Sequence, residues 1–382
     1  MKILVSFCMS KSSLLDNLTL AWKGNFSIAL FNPALKSHEK FYTTWNPANH
    51  KNDFWFLDWE DSPLSKLPMQ EVVVLCTSGT TGYMREVVLT KEACRFNVQT
   101  IKQHLSLDES FNILGLPPLF HSFGLNICFF QALENKNNYL VFDKFSSAAL
   151  EVTLKEQNRV LLPLVPQMID VLSFEPLRDL EGVSIVGGDI VTAEHIKKLK
   201  HLFPKMKHTI GYGMTEAGPV ITHTDFLDQP QSGLIGLPLP GVKTAVIDGV
   251  LHFSSPGQAK YLRDARNEWE LVEKKFLSTG DMVKERNNQL YFQSRLKDVL
   301  KRKSETLFPR EIELLIKENL GFKVDLRLSM KDSQLVLNVE GHLSVREWFI
   351  LRKRCSELPS IFCPDLIESV TFKRNALGKI AS

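Results

Sequence analysis

The run Thr77-Ser78-Gly79-Thr80-Thr81-Gly82 consists entirely of hydroxyl-bearing residues and glycines, set between two apolar β-type stretches in VLCTSGTTGYMREVVLT (Val74–Thr90). Two glycines let the backbone turn its N–H groups inward, and four hydroxyls add donors suited to phosphate oxygens. A plain polar turn would have the same composition. A Walker loop requires G-x-x-x-x-G-K-[ST]. Here Gly79 and Gly82 stand too close together and Tyr83, not lysine, follows. The Gly378-Lys379 pair lies far away, near Ser382, without a second glycine at the right distance. Other segments carry similar chemistry: GYGMTEAGP (Gly211–Pro219), LSTGD (Leu277–Asp281), SRLKDVLKRKSETLFPREIE (Ser294–Glu313) and KRNALGKI (Lys373–Ile380).

These segments need a scaffold, and the composition allows one. The chain has 382 residues, 44% of them apolar and 23% charged, which suits a globular protein of two or three domains. A net charge of +3 gives no argument for nucleic acid or a membrane surface. The six cysteines (Cys8, Cys76, Cys94, Cys128, Cys355, Cys363) lack C-x-x-C spacing and read as reduced thiols of a cytoplasmic protein. The opening MKILVSFCMSKSS is a poor signal peptide, and no apolar stretch suits a transmembrane helix.

Residues 1–70 are rich in aromatics and asparagine without a clean period, and predict short strands and a cap over the core. From Glu71 the pattern is regular. EVVVLC, FNILG, YLVF, RVLLPLV, GVSIVGG and HTIGYG read as buried strands, and KEACRFNVQTIKQHL, SSAALEVTLKEQ and TAEHIKKLKHLF as helices. FGLNICFFQAL, apolar on all sides, suits a buried helix. Alternating strands and helices predict an α/β fold whose mainly parallel sheet is covered by helices, with ligands bound beyond the carboxyl ends of its strands. After Gly233 short strands predict a small β-rich subdomain. PREIELLIKENLG then has proline at a helix start and glycine after its end, KVDLRLSM and QLVLNVEG alternate like an antiparallel pair, and SVREWFILRKRCSEL is helical. They predict a small α+β tail domain.

In this order, the glycine- and charge-bearing segments resemble the superfamily of adenylate-forming enzymes: acyl- and aryl-CoA synthetases, adenylation domains of peptide synthetases, and luciferases. The resemblance runs from Glu71 to the C-terminus, about four fifths of the chain. It implies that a carboxylate attacks the α-phosphate of ATP, giving an acyl-adenylate and pyrophosphate, and that a thiol of CoA or of a carrier-protein phosphopantetheine then displaces AMP. It implies a core over residues 1–295 and a small mobile C-terminal domain over 296–382. Thr77, Ser78, Gly79, Thr80, Thr81 and Gly82 match the loop that holds the β- and γ-phosphates. Tyr212 and Gly213 match the adenine-stacking segment, Thr215 the hydroxyl donor to the α-phosphate, and Glu216 the Mg2+-associated carboxylate. Asp281 matches the ribose-binding carboxylate, Arg295 a second ribose or phosphate contact, Lys297 the hinge, and Lys379 the catalytic lysine. His121, in LPPLFHSFGLN, matches a gate between the nucleotide and acyl sites, and Gly188, in SIVGGD, the pocket floor and adenine wall. The rest of the charge-dense stretch, Lys301, Arg302 and Lys303, reads as solvated.

The sequence departs from the family pattern in three ways. Tyr83-Met84-Arg85-Glu86 replaces the usual proline, lysine and glycine, so Arg85 would carry the phosphate contact with a planar head. Ser304 stands where glycine usually admits the pantetheine arm. The phosphate loop comes early, implying a reduced N-terminal region. The resemblance favours an acid–CoA ligase, and the mostly apolar or small residues of FHSFG and VGG favour an aryl or fatty acid over a small charged one. Its alternatives are an acyl-carrier-protein synthetase, a stand-alone adenylation enzyme, an o-succinylbenzoate–CoA ligase and, from another class, a non-catalytic nucleotide-binding relative.

Overall fold

The computed structural model describes residues 2–33, 45, 54–68, 71–78, 84–225, 231–263, 268–272, 275–302, 305–317 and 320–372. The chain divides into two compact units. The first holds residues 1–245, 252–279 and 287–290, and the second 246–251, 280–286 and 291–382.

Two sheets build the first unit. One begins with β1 (Lys2–Ser6), α1 (Leu15–Lys23) and β2 (Ser27–Leu30), followed by β3 (Phe54–Asp58), β4 (Val72–Ser78) and β5 (Met84–Thr90). β2 pairs in parallel with both β1 and β4, while β3 and β5 add antiparallel neighbours. This corrects the expected cap. The described part of residues 1–70 supplies sheet strands, and Ile3, Val5, Ala29, Trp55 and Trp59 lie in the core. KILVS and SIAL, at five and four residues, are too short for a burial period to separate a strand from a loop.

α2 (Lys91–Leu105) follows β5 directly, its first turn capped by Thr90 Oγ1, which accepts from the Ala93 N–H at 2.9 Å. The second sheet is built on β6 (Asn112–Gly115), β7 (Asn138–Val141), β8 (Arg159–Leu164), β9 (Glu181–Gly187) and β10 (Lys207–Tyr212). All five run parallel in the order β10-β9-β8-β6-β7. β11 (Thr222–His223) and β12 (Leu234–Pro238) extend it antiparallel beyond β10. The all-apolar stretch is a buried π-helix over Phe123–Phe130 that becomes α-helical over Gln131–Asn135. The helices over Ser147–Lys155 and Ala193–Leu202 fall where the spacing predicts them, the latter closed by a Thr192–His195 capping box. The strands β13 (Lys243–Ile247), β14 (Val250–Ser254), β15 (Tyr261–Arg263), β16 (Trp269–Leu271), β17 (Leu277–Arg286) and β18 (Gln289–Arg295) bear out the β-rich stretch after Gly233. Of these, β15 pairs with β5 and β16 and completes the first sheet.

The second unit contains the short hairpin of β19 (Leu300–Arg302) and β20 (Glu305–Leu307) and a helix over Pro309–Lys317. β21 (Asp325–Lys331) and β22 (Gln334–Glu340) form the expected antiparallel pair, and β23 (Leu366–Ser369) adds a parallel third strand. A helix over Val345–Ser356 buries Leu351 and Cys355 in a core with Ile312, Ile316, Leu326 and Leu337. Arg302 is not solvated. It is 7% exposed and donates to the carbonyls of Ile361 (2.9 Å) and Cys363 (2.7 Å) and to Asp365 (2.6 Å). Alternation along β19 turns it inward while exposing Lys301, and Lys303 lies outside the described residues.

All six cysteines are free, five of them buried. Among the described residues no helix is long and apolar enough to cross a membrane.

Candidate functional site

The hydroxyl-rich run joins two antiparallel strands. β4 and β5 pair from Val72↔Thr90 to Ser78↔Met84, so the segment between them closes a β-hairpin. A Walker loop opens a helix and uses its N-terminal dipole; here the element that follows the run is the strand β5. Thr77 is half-buried and sits opposite the exposed Arg85. Gly79, Thr80, Thr81 and Gly82 lie outside the described residues, as does the Ser78 side chain.

The next pair down the hairpin is Cys76↔Glu86. Glu86 is 5% exposed, and Arg263, its register partner on β15, donates to both carboxylate oxygens, at 3.3 and 3.1 Å. The Trp45 indole N–H adds a third bond at 3.3 Å. Burial, reinforced by the Glu86 charge, raises the Cys76 thiol well above its ordinary pKa and keeps it neutral. The sequence flagged Arg85; the residue at its side, Glu86, is the one with the buried counter-ion.

Tyr212 ends β10, half-buried, and Thr215, Glu216 and Ala217 form one 3₁₀ turn. The Ile221 N–H donates to the Tyr212 carbonyl at 2.8 Å, folding the segment back on itself. A Cβ on Gly213 would meet the Pro219 carbonyl oxygen at 2.0 Å, so only glycine fits there. The turn packs against both β4 and β5. Glu216 is buried at 7% exposure, and its carbonyl accepts from the Ala259 N–H at 2.8 Å. Asn97, from α2, bonds the Gly257 carbonyl at 3.0 Å beside Gly218. Neither Asn97 nor Gly257 stood out in the sequence.

The segments that the resemblance places on the acyl side emerge from the carboxyl ends of β6 and β9, which have β8 between them. Gly115 ends β6 and leads into Leu116–Asn126, where half-buried His121 stands beside Phe120 with ring centroids 4.5 Å apart. A Cβ on Gly187 would lie 2.6 Å from the Gly211 carbonyl oxygen and 3.5 Å from the Phe123 ring. The ends of β9 and β10 and the start of the π-helix thus meet at that glycine. Gly188, at φ +85°, turns the chain away. In the first unit, the carboxyl ends of β6, β9 and β10 gather the His121, Gly188 and Tyr212 segments, and the Thr215-Glu216 turn lies on the hairpin strands.

In the second unit, Asp281 on β17 is 3% exposed, and Arg295 at the end of β18 reaches it with Nε at 2.9 Å. The residue the resemblance assigns to ribose and the one it assigns to a second ribose or phosphate contact are thus ion-paired. Lys297 lies exposed in the 3₁₀ turn after β18. Ser304 and Lys379 lie outside the described residues.

Among the described residues no three acidic, histidine or cysteine side chains cluster to hold a metal.

A family model described as AMP-binding enzyme matches residues 29–259. The chain is 26% identical over 361 residues to a 4-coumarate:CoA ligase 1 of Petunia hybrida, covering 85% of this chain and 64% of that protein. It is 27% identical over 326 residues to a 2-succinylbenzoate–CoA ligase of Lactococcus lactis, covering 81% and 69%. The structure matches o-succinylbenzoate CoA synthetase of Bacillus subtilis in complex with an acyl-adenylate intermediate, with TM-score 0.77, 17% identity, and 99% of this chain and 86% of that one covered. The same synthetase solved with ATP and magnesium matches with TM-score 0.76. At that identity the structural likeness establishes a common fold.

Proposed function

Since the chain belongs to the family of AMP-binding enzymes, we propose that it is an AMP-forming acid–thiol ligase, joining a carboxylic acid to CoA through an acyl-adenylate. The single observation that carries this reading is the packing of the Thr215-Glu216 turn on β4 and β5, the strands that bear the hydroxyl-rich loop. A carboxylate oxygen attacks the α-phosphorus of ATP, the bond to the β-phosphate oxygen breaks, and pyrophosphate leaves. A thiol sulfur then attacks the acyl carbon, the thiol proton is released, and AMP departs with the bonding pair. In this scheme Thr77 to Gly82, with Arg85, hold the leaving pyrophosphate. Tyr212, Gly213 and Gly188 line the adenine, Thr215 donates to the α-phosphate, Asp281 takes the ribose, and Arg295 makes a second ribose or phosphate contact. Lys379 bridges the acid and the α-phosphate, and His121 separates the two substrates. Glu216 would hold Mg2+, which offsets the charge repulsion between carboxylate and triphosphate.

The scheme takes residues 1–295 as the core and 296–382 as the mobile domain, with Lys297 at the hinge. The names of the relatives support an aryl acid and CoA; a carrier-protein phosphopantetheine is the other acceptor. A cytoplasmic setting belongs to the reading, supported by six free thiols.

The test is acid-dependent exchange of labelled pyrophosphate into ATP, with 2-succinylbenzoate, 4-coumarate and fatty acids of graded length. The expected result is exchange with at least one aryl acid, lowered 100-fold or more in Lys379→Ala by loss of a charge that stabilises the transition state. Trapping the product with CoA or with a phosphopantetheinylated carrier separates the acceptors. ATP binding by calorimetry with no exchange on any acid would establish the non-catalytic relative instead.

A further inference from the structure

Lys11 belongs to none of the matched segments, yet it is 7% exposed and its ammonium is fully engaged. Nζ donates to the carbonyls of Gly115 (2.5 Å), Leu116 (2.9 Å) and Phe142 (2.7 Å). An ammonium has three protons, and three acceptors match them, so none is left for a substrate. Burial pulls its pKa below the usual lysine value, and the three carbonyls offset the loss of hydration.

The acceptors have a common position. Gly115↔Val141 is the last register pair of β6 and β7, so the Leu116 and Phe142 carbonyls lie just past the ladder at its carboxyl end. Lys11 reaches them from the segment that follows β1, a strand of the other sheet. The flanking residues fasten this segment a second time. Asp143 Oδ1 accepts from the Lys11 N–H at 2.6 Å, and Asp143 Oδ2 from the Ser12 hydroxyl at 2.5 Å. Ser10–Ser12 thus forms a clasp across the ends of β6 and β7.

Leu116 is the first residue of the segment that carries His121. We propose that Lys11 is a positioning residue for this acyl-side segment: by holding the Gly115, Leu116 and Phe142 carbonyls it fixes where Leu116–His121 leaves the sheet, and so sets recognition of the acid rather than of ATP. The part about acid recognition rests on the function proposed above; the mechanical part does not.

The experiment therefore has two arms on the full chain. Hydrogen–deuterium exchange without ligand compares wild type with Lys11→Met. Amides of residues 116–125 are expected to exchange at least tenfold faster, while those of Ala193–Leu202 and of Asp325–Glu340 keep their wild-type rates. Unchanged protection at 116–125, or equal loss at Ala193–Leu202, overturns the proposal. In the second arm, pyrophosphate exchange is run with 2-succinylbenzoate and with 4-coumarate. Lys11→Met is expected to raise KM for the acid tenfold or more and leave KM for ATP within twofold; equal changes in both overturn the role in recognition. Asp143→Ala, which loosens the clasp but keeps the ammonium, is expected to give smaller shifts in the same direction and replaces Lys11→Met if that variant does not fold. With Asp143→Ala, unchanged protection at 116–125 overturns the proposal. If wild type shows no exchange with any acid, the proposed function fails while the deuterium result still decides the mechanical role.

Discussion

Replacing Arg263 with methionine leaves the Glu86 carboxylate buried at 5% exposure beside the Trp45 indole N–H but without the guanidinium that now pairs with it. Arg263 now reaches both carboxylate oxygens, and its guanidinium carbon lies 5.4 Å from the Trp269 ring centre. Methionine keeps much of the stem but no charge, so the expected loss is that of a buried pair deprived of one partner, about 3–5 kcal/mol. Replacing both residues, as Glu86→Leu with Arg263→Met, removes both charges together. That double variant is expected within about 1 kcal/mol of wild type, because an apolar pair of similar volume escapes the desolvation cost. Urea unfolding followed by tryptophan fluorescence reads the right part of the molecule: five of the six tryptophans (Trp22, Trp45, Trp55, Trp59 and Trp269) belong to the first unit. At an m-value of about 3 kcal/mol per molar urea, the single variant lowers the midpoint by roughly 1 to 1.7 M and the double variant restores it. Single-variant costs that simply add in the double variant, or an Arg263→Met midpoint equal to wild type, would refute the argument that these charges depend on each other.

Two further outcomes concern the second unit. Glu313 is 4% exposed, and burial pushes its carboxyl up to about 7 despite Arg310 at 2.9 Å and the Leu328 N–H at 2.8 Å. A folded pKa above the unfolded value adds stability that is complete below about pH 4.5 and disappears as the pH rises through about 7, at most ~3 kcal/mol; the melting temperature of this unit should fall between pH 5 and 8, and Glu313→Gln should flatten that fall. Arg302→Met leaves the Ile361 and Cys363 carbonyls and Asp365 without their donor; a loss of about 2–4 kcal/mol is expected in chemical unfolding of the second unit, against little change for the exposed neighbour variant Lys301→Met.

The parts of the fold that were legible in the sequence are those with a period long enough to read. KEACRFNVQTIKQHL forms a helix over the same residues, and the alternation of KVDLRLSM and QLVLNVEG gives the β21–β22 pair. KILVS and SIAL lacked that length, and their places in a sheet depend on distant partners, Phe54–Asp58 for the first and Val73–Leu75 for the second, that no local pattern reveals. At the site, glycines marked the close approaches: Gly187 and Gly213 each stand where a Cβ would strike backbone. Charged residues were harder. Lys11, Glu86, Arg263 and Arg302 look like solvated surface in sequence, because burial of a charge is set by distant acceptors and by strand alternation, not by neighbouring residue types. A hydroxyl- and glycine-rich run stands out locally, whereas the buried ion pairs of the strands around it do not.

The hairpin and its buried pair have a consequence for exchanging parts between relatives. Glu86 lies two positions beyond Met84, the loop-side end of β5, and its counter-ion is 177 residues further along the chain. A loop transplanted from a family member with lysine and glycine at positions 85 and 86 would bring its own phosphate contacts but remove the Glu86 carboxylate that the buried Arg263 holds. The smallest module that can be moved intact is therefore discontinuous: the loop with the start of β5, together with residue 263 on the strand beside it.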